Sequence, residues 1–202
     1  MDMNENVTNT KKNEKKYTTA QKIFKESRDY FVILILFMLV YILCFRVVIV
    51  VGDSMFDTLV DGDYLVLISN VFYTEPKHGD IIVASKDSFE NGVPIVKRVI
   101  AVEGQEVDID FGNGIVYVDG LPIDEPYITA PTHLAEGVQF PLTVSEGCVF
   151  VMGDNRPVSC DSRNPRVGLL DKREILGKAI FLFLPGINAD KTRDFNRIGG
   201  LK

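Results

Sequence analysis

The sequence predicts a mainly β fold, a set of folded sheets or a partial barrel, carried behind one N-terminal transmembrane helix. Three observations lead there. A single apolar run, residues 30–51, reads YFVILILFMLVYILCFRVVIVV and holds one charge, Arg46. After Val51 the texture changes to short β-rich runs broken by Gly, Pro, Asn and Asp. No long helical period separates those runs, which favours sheets packed or curled on themselves.

The elements follow in order. Residues 1–16 are polar, rich in Asn, Lys and Thr, and read as a disordered tail within a leading segment of residues 1–29. TTAQKIFKESRDYF mixes apolar and charged residues at helical spacing and continues into the apolar run. A helix rises about 1.5 Å per residue, so roughly 20 residues cross the hydrocarbon core. The run is apolar all round, unlike the surface helix of a soluble core. It is longer than the apolar part of a cleavable signal peptide and lacks an A-x-A-like exit, so residues 30–51 are expected to be an uncleaved anchor. Arg46, near its far end, can extend its stem to the interface. Lys11, Lys12, Lys15, Lys16, Lys22, Lys25 and Arg28 precede the run, while residues 52–76 hold no Lys or Arg. The positive-inside rule then predicts a cytoplasmic amino end and an extracytoplasmic domain over residues 52–202 at the cell membrane. The later apolar stretch AIFLFLPGI is too short to span.

In that domain DYLVLIS is a strand, EPKHGD a turn and IIVAS a second strand. NGVP turns into the long strand IVKRVIAVEG. EVDIDF and IVYVDG form a hairpin, with Gly112, Asn113 and Gly114 expected to supply positive φ. PLTVSEGCVFVMGDN gives another strand and EILGKAIFLFLP a last one.

Composition narrows the function. A net charge of -6 over 202 residues argues against a general nucleic-acid binder. Cys44 lies in the apolar run; Cys148 and Cys160 follow it, where pairing is possible but not implied. No C-x-x-C or His/Cys cluster suggests a metal, and no cofactor is expected.

Ser54, in VVGDSMFDTLVDGD, follows the apolar run closely. A serine in such a turn ordinarily bonds the local backbone. A nucleophilic serine needs a base. The candidates are His78 in an exposed turn, His133 in an irregular loop, and Lys97 in VPIVKRVIAV. Lys97 and Arg98 point to opposite faces of a strand, so one of them should face inward with the apolar neighbours. Desolvation depresses a lysine pKa, and a neutral lysine can accept a proton from serine. A third segment, GDNRPVSCDSR, brings Asp154, Arg156, Asp161 and Arg163 into one loop, where charge-assisted pairs can fix its shape.

GDSM, KRVIAVEG and GDNRPVSCDSR, in this order behind an N-terminal anchor, resemble the bacterial type I signal peptidases, most of all their compact single-anchor forms from Gram-positive bacteria. The resemblance runs from the membrane segment to near the end of the chain. It implies a β-rich catalytic domain with a smaller inserted part at about residues 103–145. It makes Ser54 the nucleophile and Lys97 the general base. Ser159 corresponds to a serine that helps orient the lysine, and Asp161 and Arg163 to a structural ion pair, with Arg98 close by. The Ser54 backbone N–H and the Gly52 region correspond to the oxyanion site. Met55, Leu59, Val50, Val51 and Val96 fall where the substrate groove and its small apolar pockets are shaped.

The implied activity is a membrane-anchored serine endopeptidase, free of cofactors, that removes signal peptides from secretory preproteins after small residues of Ala-x-Ala type. The implied partners are those preproteins, the lipid bilayer and the secretion translocon. The sequence departs from the family at Asp57, where Pro is common and a water-facing side chain is expected. It departs also at Ala101 and Glu103, and at Gly52, where some members carry a hydroxyl that assists the oxyanion. The competing reading is a non-catalytic membrane-tethered assembly factor or chaperone of the same fold. A self-cleaving repressor of the Ser-Lys type would need a DNA-binding module ahead of the protease, and nothing before the apolar run reads as helix-turn-helix.

Overall fold

The computed structural model describes residues 19–187 and 191–201, with the side chains of 19–24 and Glu90 outside the description. The tail expected over residues 1–16 therefore lies outside the described residues. The chain divides into two units, residues 1–41 and 42–202.

The described part of the first unit is helical. It belongs to α1, Thr19–Cys44, and the stretch Lys25–Cys44 is long and apolar enough to cross a membrane. The helix ends earlier than expected. Phe45–Ile49 forms a strand, β1, instead of the last turns of the anchor. The cause is local and tertiary together. Val47, Val48 and Ile49 are β-branched and favour extended backbone, and they pair antiparallel with Tyr64–Ser69, β2. Arg46 stands opposite Leu67 in that ladder rather than at a helix end.

The second unit is two antiparallel sheets. Ile81–Ala84 is β3, Ile95–Val102 β4, Glu106–Asp110 β5, Ile115–Val118 β6, Leu121–Pro122 β7 and Leu142–Thr143 β8. Cys148–Met152 is β9, Leu170–Asp171 β10, Ile175–Leu184 β11 and Gly199–Gly200 β12. The large sheet runs β1-β2-β11-β3-β4-β9-β10, with β12 also on β11. The smaller sheet runs β7-β6-β5-β8. The stretch PLTVSEGCVFVMGDN, expected as one strand, is two: β8 and β9 are separated by a turn with Gly147 at φ 71.

The hairpin between β5 and β6 also differs in detail. Of its three turn residues only Gly114 has positive φ, at 72. Gly112 and Asn113 instead give their N–H groups to the Asp110 carboxylate. Gly114 has a second reason to be glycine, since a Cβ there would meet Pro131 Cβ at 2.5 Å.

Three apolar clusters hold the unit. One contains Met55, Leu59, Leu65, Leu67, Ile81 and Leu182. A second lies around Ile82, Val99, Val151 and Leu170. The third joins the sheets: Ile100, Phe150 and Met152 of the large one pack on Val107, Ile109, Val116 and Val118 of the small one. Burial of such side chains contributes on the order of 25 cal/mol per Å² removed from water.

Candidate active site

The site is assembled from three segments. The first is the connection from β1 to β2. Val50 N donates to Asp63 O at 2.8 Å and Gly62 N to Val50 O at 2.9 Å, so the two legs stay bonded beyond the strands. Met55 and Leu59 are 1% and 0% exposed and seat the turn in the core. Ser54 stands at its head, half-buried. Asp57 is exposed, as expected. Asp63 is fully buried and accepts from Val60 N at 2.8 Å and Gly186 N at 2.6 Å. It also takes both terminal nitrogens of Arg197, at 2.9 and 2.6 Å.

The second segment is β4. Lys97 is 4% exposed, and its Nζ lies 2.7 Å from Ser54 Oγ and donates to Val96 O at 3.0 Å. Burial lowers its pKa below the ordinary lysine range. The carboxylates around it, Asp161 foremost, act the other way and are outweighed.

Its neighbour differs from expectation. One of the two cations was expected to face inward; Arg98 is buried as well, 2% exposed. β4 lies inside the large sheet, between β3 and β9, and both of its faces are covered. Arg98 pairs with Asp154. Its Nε and Nη2 bond the two Asp154 oxygens at 2.9 and 2.7 Å. Nη1 donates to Gly79 O, and the guanidinium lies 3.9 Å from the centre of the Tyr127 ring.

The third segment is the loop after β9. Arg163 and Asp161, both fully buried, make two parallel bonds of 2.9 Å. Asp161 also accepts from Gly153 N, and Arg163 reaches the carbonyls of Arg156 and Ser159. Glu136 lies 3.2 Å from Arg163, and burial pushes the Glu136 carboxyl up. Arg156 is held by both oxygens of Glu125 and by Thr132 Oγ1. Asn155 ties this loop to the Ser54 turn: its N donates to Ser54 O at 3.0 Å and its Nδ2 to Asp53 O at 3.0 Å. A Cβ at Gly153 would lie 2.3 Å from both Ser54 O and Ser159 Oγ, so the approach leaves no room for a methyl group.

Several expected roles shift. Ser159 Oγ is buried but has no hydrogen-bond partner among the described residues, so the expected bond to Lys97 is not made. Of the residues expected to shape the groove, Val50, Met55 and Leu59 are buried, Val51 is exposed and Val96 half-buried. Gly52 N donates to Asp61 Oδ1 at 2.8 Å and is unavailable to an oxyanion. The Ser54 N–H has no acceptor among the described residues. His78 and His133 turn Nδ1 to Ile100 O and Phe111 O, and neither contacts Ser54. Cys148 and Cys160 are free thiols. Among the described residues no group of His, Cys, Asp or Glu is arranged to hold a metal ion.

The sequence pointed to the charged loop after β9 but missed its partners Glu125 and Glu136, and the Tyr127 ring that lies against Arg98. It also missed Asp63 and Arg197. A charge inside an apolar or turn-rich stretch, such as Asp63 before YLVLIS, was the available signal.

Comparison with known proteins gives the family. The model of the family "Signal peptidase, peptidase S26" matches residues 23–184. A signal peptidase I of Bacillus licheniformis is 35% identical over 187 residues, spanning 89% of this chain and 98% of that protein. Signal peptidase I T of Bacillus subtilis (strain 168) is 34% identical over 189 residues, 90% of this chain and 94% of that one. A crystal structure of a signal peptidase I from Enterococcus faecalis V583 aligns with 52% of this chain and 97% of its own, at 29% identity and a TM-score of 0.44. The chain belongs to the signal peptidase, peptidase S26, family. It is a serine endopeptidase of the signal peptidase I kind, which removes signal peptides from preproteins.

Proposed function

We propose that Ser54 and Lys97 are the nucleophile and general base of this peptidase. The single observation that carries the reading is the 2.7 Å approach of a buried lysine Nζ to Ser54 Oγ. Neutral Lys97 takes the Ser54 proton as Oγ bonds the scissile carbonyl carbon. The resulting lysine ammonium then gives that proton to the departing amine, leaving an acyl-enzyme. The same amine next takes a proton from water as the water oxygen bonds the acyl carbon, then gives that proton to Ser54 Oγ as the acyl–Oγ bond breaks, releasing the carboxyl product and restoring Ser54. The Ser54 N–H is the oxyanion donor in this scheme. Asp161, Arg163, Arg98 and Ser159 hold or line the loops that fix this geometry. Val51 and Val96 offer apolar surface for small side chains, in keeping with cleavage after Ala-x-Ala sequences.

The α1 stretch 25–44 is the membrane anchor, with the amino end cytoplasmic and the remainder, including a smaller part at about 103–145, on the outer face. The basic residues before the span support that orientation. Contact with the bilayer is supported by an apolar sheet face. Val47 and Phe181 each pair with Val66, Ile49 pairs with Tyr64, and Phe183 packs edge-on against Tyr64. On that face the enzyme meets preproteins emerging beside the translocon.

The test is incubation of detergent-solubilised protein with a secretory precursor, followed by sequencing of the new amino terminus. A cut after an Ala-x-Ala sequence, absent with Ser54→Ala, is expected. Cleavage that survives Ser54→Ala overturns the assignment.

A further inference from the structure

We infer that Arg197, near the carboxyl end of the chain, is a positioning residue for the nucleophile turn. The inference rests on the Ser54–Lys97 reading above. Asp63 closes that turn, and its carboxylate is fully buried. Four donors converge on it: Val60 N, Gly186 N and two nitrogens of Arg197. Arg197 is the ion-pair partner of that carboxylate, and without it a buried carboxylate keeps only two amide donors. The same guanidinium also donates to Thr58 O at 3.3 Å. Arg197 thus fastens both the middle and the end of a turn that begins at Ser54.

Thr58 connects this clamp to the other side of the site. Its hydroxyl donates to Asp154 Oδ2 at 2.5 Å, and Asp154 is paired with Arg98, next to Lys97 on β4. The turn carrying Ser54 is therefore held between two ion pairs, Arg98–Asp154, which is buried on both sides, and Arg197–Asp63, whose carboxylate is buried and whose guanidinium is partly exposed. One of them sits on the strand of the base, the other comes from the carboxyl-terminal segment.

That segment is built to present Arg197. Asp194 caps the short helical turn Phe195–Arg197 through Asn196 N. The following Gly199 and Gly200 pair with Leu182 and Phe181 of β11. Leu201 then packs against the cluster that contains Met55 and Leu59. Gly186, whose N–H also bonds Asp63, lies so close that a Cβ there would be 2.1 Å from Asp61 O. Arg197 touches no reacting atom; it acts through Asp63 and Thr58 on where Ser54 stands.

The experiment compares full-length wild type, Arg197→Gln, Arg197→Lys and Asn196→Ala in precursor cleavage at 20 °C, with the folded fraction measured by circular dichroism. Misplacing a reacting group by 1 Å can cost about 100-fold, so we expect kcat per folded molecule to fall at least about tenfold in Arg197→Gln. KM should stay within about twofold, because the substrate walls are untouched. Arg197→Lys keeps the charge but cannot bridge both Asp63 oxygens and Thr58 O at once, and should recover only part of the rate. The exposed Asn196→Ala should match wild type. An Arg197→Gln enzyme with wild-type kcat and only a lower melting temperature overturns the inference. If that variant does not fold, Arg197→Lys decides alone, and a wild-type kcat there overturns it. Either failure leaves the Ser54–Lys97 assignment standing, since that is tested separately by Ser54→Ala.

Discussion

Lys97 and Arg98 are neighbours on one strand, both nearly excluded from solvent, and their surroundings treat them in opposite ways. Arg98 has a carboxylate matched to it oxygen by nitrogen, a backbone carbonyl and an aromatic face. Lys97 has a serine hydroxyl and one carbonyl within bonding distance. Burial with a full complement of partners keeps a charge in place; burial without a bonded counter-ion favours its loss. On the proposed reading, two adjacent basic residues serve as a structural pin and a base, and their side-chain partners set them apart.

The sharpest way to break this contrast is to remove the amine. Lys97→Ala and Lys97→Arg should each lower precursor cleavage by about 1,000-fold or more, since both lose a neutral proton acceptor. Retention of more than a tenth of the rate in either variant would exclude Lys97 as the base.

The opposite side of the contrast is tested by Asp154→Asn, which leaves Arg98 charged, buried and without its counter-ion. Breaking a buried pair from one side costs about 3–5 kcal/mol, to be read from urea unfolding of the solubilised protein. A change below 1 kcal/mol would show that Arg98 does not depend on this carboxylate.

A pH profile sharpens the comparison. Because burial lowers the Lys97 pKa, the neutral amine is the active form above that pKa. Cleavage should rise with pH through a limb lying below the ordinary lysine range and lose that rise when pH falls beneath it. A rate that stays flat across pH 5–10 contradicts the assignment. The smallest expected effect belongs to the histidines. His78→Ala and His133→Ala should each leave the cleavage rate within about twofold, as for surface changes away from a site. Loss of activity in either would move the base away from Lys97.

Much of this was legible along the chain. Short β-rich runs such as YLVLIS and EVDID, bounded by turn residues, announced their strands. The order of GDSM, KRVIAVEG and GDNRPVSCDSR pointed to Ser54 and Lys97 through their family resemblance. The junction at Cys44 was hidden because an apolar run looks the same whether it meets lipid or pairs as an edge strand. The burial of Arg98 was hidden because its carboxylate lies 56 positions away. Met55 and Leu59 read as groove residues by resemblance, while their packing depends on strands from distant parts of the chain. The free state of Ser159 Oγ could not be seen either, since it depends on the path of the loop around Gly153.

The ion pair between Asp63 and Arg197 spans 134 positions, and that span has a consequence for timing. Ribosomes release the amino end first. The serine turn therefore leaves the ribosome long before the arginine that fastens it. The Asp63 carboxylate therefore waits for residue 197 to be made before this ion pair can form.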